Sequence, residues 1–517
     1  MKRLIVSLFF VFLTCLVMLG FRGSNQLPDV HDPTIAYRTQ ITIDSLVDGQ
    51  FPPAWHNTLN FGFGYPLNLY YAPLITYLTA IAASVVGNVV FGVKLTLWLI
   101  TLLGIVGVYK LVIKYGLSAS LVASTAFAML PYHASALYVR GSYAEYLAIN
   151  LLPWVIYFWT KSQSQKKNML FTVITTGLFL ISHNTIPFLA LPVIITISLL
   201  SQKNNYKSLI LTLLLSFALS AVFLVPIFFE RGFIQVDAVA TKTRLSDHFV
   251  TPAQLWYSPW GYGGSAPGDA DLMSFMLGKG QIVLAILGLI FAAVLREKLM
   301  LYLTMPLLVM LLAVLPLSRP FWDLIPALAL LQFPWRVLGI ATLSLALGSG
   351  YLFARAKNRI GLLICLGAII SLIYTNYTYF RPWSTHTFNH DILTSDANLH
   401  PLVLNKIPEY LPAWMDDFPK IIELDGLTRT PTAVRGKVIS TDLIPITIKT
   451  AYMPHWKLTL NGYPTDIIPN EGGTIRTHAP IPPGTYDVDL TWHQTPIEKF
   501  GVVLSLVTLI IVLGLAL

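Results

Sequence analysis

Residues 28–73, PDVHDPTIAYRTQITIDSLVDGQFPPAWHNTLNFGFGYPLNLYYAP, form the one long polar stretch in an otherwise apolar first third of the chain. The stretch follows a single hydrophobic segment and carries four acidic residues, two histidines, paired prolines and many aromatics. Asp29, His31 and Asp32 lie close to where that segment should leave a bilayer. Carboxylates gathered there point to chemistry at a membrane surface.

The rest of the composition fixes the class. Of the 517 residues 55% are hydrophobic and only 11% charged, with mean hydropathy +0.64. Soluble domains carry about a quarter charged residues, so this is a polytopic α-helical membrane protein. Cys15 and Cys365 both sit inside apolar runs, so no disulfide framework is present in the pattern.

A helix crosses the hydrocarbon layer in about 20 apolar residues. Runs at 4–21, 91–113, 118–136, 146–160, 168–183, 186–200, 208–228, 280–295, 299–316, 336–354, 360–377 and 500–517 give about twelve crossings. The first run resembles a signal peptide but lacks a clear A-x-A cleavage site, and it is read as retained. The short run 73–86 reads as a juxtamembrane or re-entrant helix. With the N-terminus inside, the inner loops gather Lys2, Arg3, Lys110, Lys114, Lys161, Lys166, Lys167, Lys203, Lys207, Arg296, Lys298, Arg355, Lys357 and Arg359, and among acids only Glu297. That asymmetry orients the chain and makes the net charge of +9 an anchoring signal, not a nucleic-acid footprint.

Inner loops are too short for a nucleotide-binding domain. The division is therefore a transmembrane region 1–378, with outer loops 22–73 and 229–280, an outer region 379–499 and a last span 500–517. The 379–499 region reads as a small extracytoplasmic β-sandwich: alternation in ITIKTAYMPHWKLTLNG, the Asn461-Gly462 turn, TIRTH and GTYDVDLTW suit short antiparallel strands. Near PEYLPAW (408–414) the same region reads as helical.

Each candidate residue has a bland alternative. Outside the cell no nucleotide sugar is at hand, so a transferase there needs a donor arriving through the membrane, a carboxylate to take the acceptor's proton and cations or a metal for the leaving phosphate. Asp32 suits the carboxylate, yet Asp32-Pro33 is also a helix start, with Asp as cap and Pro following. Arg140 and Glu145 in VRGSYAEYL suit a phosphate and a metal or acceptor sugar; the alternative is a local charge pair with Arg140 snorkelling. His183 reads as a helix-end cap or a donor contact. Arg336 in QFPWR suits a lipid phosphate, or the headgroup belt beside Trp335. Asp269 and Asp271 suit a sugar or a surface turn. Aromatics including Tyr65, Tyr71 and Trp256 suit sugar stacking or an interfacial belt.

Several phrases carry a family resemblance: GQFPPAWHNTLNFGFGYPLNLYYAPL, RGSYAEYLAINLLP, LISHN, SPWGYGGSAPGDADLMSFMLG, LQFPWRVLGIATL and AYMPHWKLTLNG. In this order they resemble the bacterial 6-pyruvoyl-tetrahydropterin synthase-related membrane proteins, which in turn look like GT-C integral-membrane glycosyltransferases, the YfhO-like proteins among them. The resemblance implies a GT-C-like fold in the bacterial inner membrane, with active face and β domain extracytoplasmic, and an inverting transferase moving a sugar from a polyprenyl-phosphate donor to an envelope glycan or glycolipid. Asp32 matches the acidic residue of the first loop, as general base, with Asp29 or Glu145 assisting. Arg336, Arg140 and His183 then serve the donor phosphate, and His31, Tyr65, Trp256 and Asp271 the substrate. The GT-C pattern often has two adjacent acids where this chain has His31-Asp32. The departure leaves open which acid acts and whether a divalent metal, Mg or Mn, is held by Asp29 and Asp32. Two other readings stand: a lipid-linked glycan flippase, disfavoured by spans nearly free of ionisable residues, and a non-catalytic glycan-binding membrane protein.

Overall fold

The computed structural model describes residues 2–161, 165–201, 206–237, 244–268, 270–395, 408–415 and 426–516. Long helices form where apolar runs meet good end signals. Asn88 caps the Val89–Val112 helix by accepting from the Phe91 amide at 2.8 Å, and Asn358 does the same for Arg359–Asn376 through Gly361 at 2.8 Å. Val89–Val112 packs on both Leu74–Val86 and Tyr143–Trp159, while Leu338–Tyr351 packs between Leu117–Ala128 and Lys279–Val294. The buried faces of these helices form one apolar core that continues into the C-terminal strands.

The helices are more broken than the hydropathy pattern suggests. Among the described residues three, Val89–Tyr115, Arg359–Tyr379 and Pro496–Gly514, are long and apolar enough to cross a membrane, or up to five if each of two bent pairs is one span. The run expected as one span over 208–228 is two helices, Tyr206–Leu219 and Ala221–Glu230, bent by 77° about Ser220. Ser220 Oγ lies within bonding distance of the Ser216 and Gly177 carbonyls, at 2.9 and 3.0 Å, which satisfies oxygens freed at the bend. The run expected over 299–316 is followed as Lys298–Val314 and at its end turns by 90° into Pro316–Leu324. The run over 118–136 stops at Ala128, restarts at Pro131 and ends in a wide turn over Ala136–Arg140.

Among the described residues ten strands follow in chain order: β1 (Gln26–Pro28), β2 (Thr385–Thr387), β3 (Thr428–Arg429), β4 (Ala433–Ser440), β5 (Thr447–Ala451), β6 (Trp456–Leu460), β7 (Tyr463–Thr465), β8 (Ile467–Pro469), β9 (Thr474–Thr477) and β10 (Gly484–Trp492). β1 and β2 pair with each other, tying the start of the first loop to the start of the C-terminal region. The β-rich region holds two antiparallel sheets, ordered β3-β4-β10-β6-β7 and β5-β9-β8. Asn461 and Gly462, at φ 52° and 82°, make the two-residue turn between β6 and β7 that the Asn-Gly pair implies. Near 408–414 the expected helix is only a short 3-10 turn, Pro408–Tyr410. Pro412 instead bridges to Ile234 in extended form, since Pro408 and Pro412 interrupt helical pairing.

Candidate active site

The first loop docks on the rest of the chain as a short extended segment. The His31 amide donates to the Val139 carbonyl at 2.9 Å and the Asp32 amide to that of Arg140 at 3.0 Å. Gly141 makes this approach possible: its φ is +66°, and a Cβ there would strike the Val30 side chain and come within 2.7 Å of the Asp32 carbonyl. Asp32 Oδ1 accepts from the Thr34 amide at 3.2 Å and from its hydroxyl at 2.5 Å. This closed turn starts the Ile35–Val47 helix two residues beyond Pro33. The expected cap is displaced by two residues: Thr34, not Asp32, is the N-cap, and Asp32 closes the turn just before it through one oxygen.

Arg140 and Glu145 are bound to each other. Arg140 donates through Nη1 to Glu145 Oε1 at 3.0 Å and through Nη2 to Oε2. Tyr132 donates to Oε1 at 2.6 Å, and Trp335 lies under the guanidinium at 4.5 Å. Arg140 is 7% exposed and Glu145 1%, so Arg140 does not snorkel. Both terminal nitrogens of Arg140 are committed to Glu145, which leaves the pair as a buried strut beneath the site.

Near this strut lies a cavity of about 390 Å³ whose apolar walls include Tyr70, Tyr71, Phe188, Phe228 and Leu331, and whose polar lining includes His183, Arg231, Arg336 and Glu409 along with Asn184, Thr185 and Gln332. Phe228 is more than half exposed, so the apolar wall continues onto the outer surface. Arg336 sits in the turn Pro334–Val337 that opens the Leu338–Tyr351 helix. Its Nη1 donates to the Leu331 carbonyl at 3.0 Å, and its Nε is buried without a partner. Arg38, on the Ile35–Val47 helix, stacks over Tyr71 at 3.9 Å and keeps Nε and Nη2 buried and unpaired. Unpaired buried donors of this kind carry a desolvation cost that an anion would relieve.

His183 Nδ1 accepts from the amides of Thr185 and Ile186 at 3.1 and 3.2 Å, capping the Ile186–Ser201 helix. In the neutral ring the proton then resides on Nε2, a donor. Glu409 is carried to the cavity by the 408–415 segment, which the Gln235 amide fixes to the Leu411 carbonyl at 3.0 Å. Burial pushes the Glu409 carboxyl up; the nearby Arg336 opposes the shift and the Asp32 charge adds to it. Asp32 and Glu409 are therefore close enough to feel each other.

Other residues singled out from sequence lie elsewhere. Asp29 lines a separate pocket and accepts from Ser384 Oγ at 2.5 Å. His31 Nε2 is 2.9 Å from the Tyr262 carbonyl. Tyr65 is buried, its hydroxyl accepting from the Tyr410 amide at 3.2 Å, so it supports Glu409's segment and does not face a substrate. Trp256 is exposed beneath Lys279. Asp271 is a loop brace, bonded to Gln254 at 2.8 Å and the Ala266 amide at 2.9 Å. Asp269 lies outside the described residues. Asp29 lines its own pocket while Asp32 lines neither that pocket nor the cavity, and with the two committed to Ser384 and Thr34 they do not fit a shared Mg or Mn site. Arg38 and Glu409 are the residues that sequence reasoning passed over.

A helical chain with three to five apolar helices long enough to cross a bilayer among its described residues defines an integral membrane protein. It belongs to the 6-pyruvoyl-tetrahydropterin synthase related membrane proteins, whose family model matches residues 69–382. No curated protein matches the chain. Among solved structures, arabinofuranosyltransferase AftD from Mycobacteria is similar at 16% identity and TM-score 0.50, over 74% of this chain and 27% of that one. The oligosaccharyltransferase AglB from Archaeoglobus fulgidus is similar at 13% and 0.41, over 72% and 55%. ArnT from Cupriavidus metallidurans, bound to undecaprenyl phosphate, is similar at 15% and 0.36, over 71% and 63%. The chain thus spans between about a quarter and two thirds of the length of these proteins. The AftD likeness shows a GT-C-like fold.

Proposed function

We propose that the chain is an inverting membrane glycosyltransferase that moves a sugar from a polyprenyl-phosphate donor to an extracytoplasmic glycan or glycolipid acceptor. The observation that carries this reading is the cavity whose lining joins many apolar side chains to Arg336, Arg231, His183 and Glu409. An isoprenoid suits the apolar wall and a phosphate suits the cationic end. The neighbours named as arabinofuranosyltransferase and oligosaccharyltransferase, and the one bound to undecaprenyl phosphate, are consistent with it.

In this reaction the acceptor hydroxyl attacks the anomeric carbon from the face opposite the phosphate. The new C–O bond forms as the bond to phosphate oxygen breaks, and polyprenyl phosphate leaves with the electron pair. Asp32 takes the acceptor proton through the oxygen not used by Thr34, with Glu409 as the second carboxylate beside it. Arg336 and Arg38 offer unpaired donors to the leaving phosphate, and His183 Nε2–H a third. Arg140 and Glu145 hold Tyr132 and Trp335 in place beneath them.

The test is sugar transfer in reconstituted membranes with polyprenyl-phosphate sugars and envelope acceptors. Asp32→Asn should lower turnover by roughly 10²–10⁴ at unchanged folding. Arg336→Ala should weaken lipid-phosphate binding roughly ten- to a hundredfold, the loss of one charged hydrogen bond. Normal turnover by Asp32→Asn removes the base, and translocation of glycan without a new glycosidic bond would favour the flippase.

A further inference from the structure

Beside Tyr70 of the cavity wall, but with none of the three lining the cavity, titratable side chains from three distant segments meet in the interior: Glu230 at the end of the Ala221–Glu230 helix, His455 just before β6, and Glu498 in the first turn of the Pro496–Ala516 helix. All three are buried, and one ligating atom from each lies within 4.8 Å of the others. His455 Nε2 is 2.8 Å from Glu498 Oε1. The second Glu498 oxygen accepts from the Thr495 amide at 3.2 Å, while the Glu498 amide donates to Thr495 Oγ1 at 3.1 Å. This reciprocal cap fixes the carboxylate. Trp492 stacks flat on the His455 ring at 4.2 Å, which fixes the imidazole.

The cluster is unfinished as a protein-only network. Glu230 is 3% exposed and its Oε2 has no partner, and the Tyr70 hydroxyl, near enough to feel Glu230 and Glu498, is buried and unpaired as well. Two carboxylates and one imidazole sum to a charge that a divalent cation neutralises. One nitrogen and two oxygen donors suit zinc, which binds His at about 2.0–2.1 Å and carboxylate at about 2.0–2.2 Å. We propose that Glu230, His455 and Glu498 bind a Zn²⁺ ion, with water as the fourth ligand, that ties the helical region to the β-rich region. The site belongs to the fold and not to the sugar transfer, so it stands apart from the function proposed above.

The experiment uses the full chain purified in detergent without chelator. Metal content is measured before and after incubation with ZnCl₂ and dialysis, and melting is followed with and without EDTA. The expected result is about one Zn²⁺ per chain, falling at least tenfold in Glu230→Gln and in His455→Gln, with EDTA lowering the melting temperature of the native chain alone. Glu230→Gln preserves shape, so it reports even where His455→Gln fails to fold. A native chain that takes up no zinc while remaining folded, or a Glu230→Gln chain that retains it, would overturn the proposal. The first outcome leaves three side chains sharing protons, and the second an adventitious ion only.

Discussion

Glu409 reaches the cavity only because the chain folds back on residues 231–236, and its carboxyl is raised there chiefly by burial. The sign of the consequence follows from linkage. An acid that binds its proton more readily when folded costs no stability below its unfolded pKa of about 4.3, and the cost grows as pH rises to the folded pKa. Glu409→Gln removes that cost, so the variant should melt higher than the native chain at about pH 8 and equal to it at about pH 4. Thermal melting across that range checks it; a difference independent of pH would count against a raised carboxyl. Arg140 and Glu145 make the opposite case, since each satisfies the other. Arg140→Met alone leaves a buried carboxylate uncompensated and should cost about 3–5 kcal/mol, while Arg140→Met with Glu145→Leu should recover most of it. Denaturation of the single and double variants measures the difference. Phosphate-specific loss in the single variant with no loss of stability would restore Arg140 to the donor site.

At the scale of elements, what matters is how closely the first loop lies on the turn Ala136–Arg140. Gly141 sets that distance, and Gly141→Ala places a side chain in a left-handed position against Val30 and the Asp32 carbonyl. The strain is on the order of 1–3 kcal/mol. Asp32 should move while Arg336 does not, so sugar transfer should fall more than lipid-phosphate binding, and equal losses of both would contradict the docking. Some of this was legible in the sequence. Asp32-Pro33 marks the start of a helix, Asn461-Gly462 marks a hairpin, and alternation marks β5, β6 and β10, because these signals lie within a few residues of one another. The bend at Ser220 was not, since hydropathy summed over a window registers composition and not the angle between two half-length helices. Arg38 and Glu409 were invisible for another reason. Nothing near them in sequence shows that Glu409 lines the cavity with Arg336 or that Arg38 stacks on Tyr71 in its wall, and the first follows only from closure of the 408–415 segment over Ile234.

Over the whole molecule, the β-rich region is welded to the first loop, so a change far from the cavity should reach it. Trp55 is fully buried between them, stacked on Trp492 at 4.8 Å and edge-on to Trp456 at 5.4 Å. Gly64, at φ +92°, passes so close to the indole that no side chain would fit there. Around this centre the Ala451 amide donates to the Phe63 carbonyl at 2.7 Å, Thr432 Oγ1 to Asp48 at 2.8 Å and Gln50 Nε2 to the Pro431 carbonyl at 3.2 Å. The same loop carries Tyr65, whose hydroxyl holds the Tyr410 amide beside Glu409. Trp55→Ala should cost about 3–5 kcal/mol, the usual loss for a buried tryptophan. Because the loss is concentrated at one junction, it should show first as protease cleavage between the helical and β-rich regions. Trp55→Phe keeps part of the stack and should fall between the two. Should Trp55→Ala instead unfold helices and strands together in a single transition with no early cleavage, the two regions form one cooperative unit and Glu409 is held by the whole core rather than by this junction.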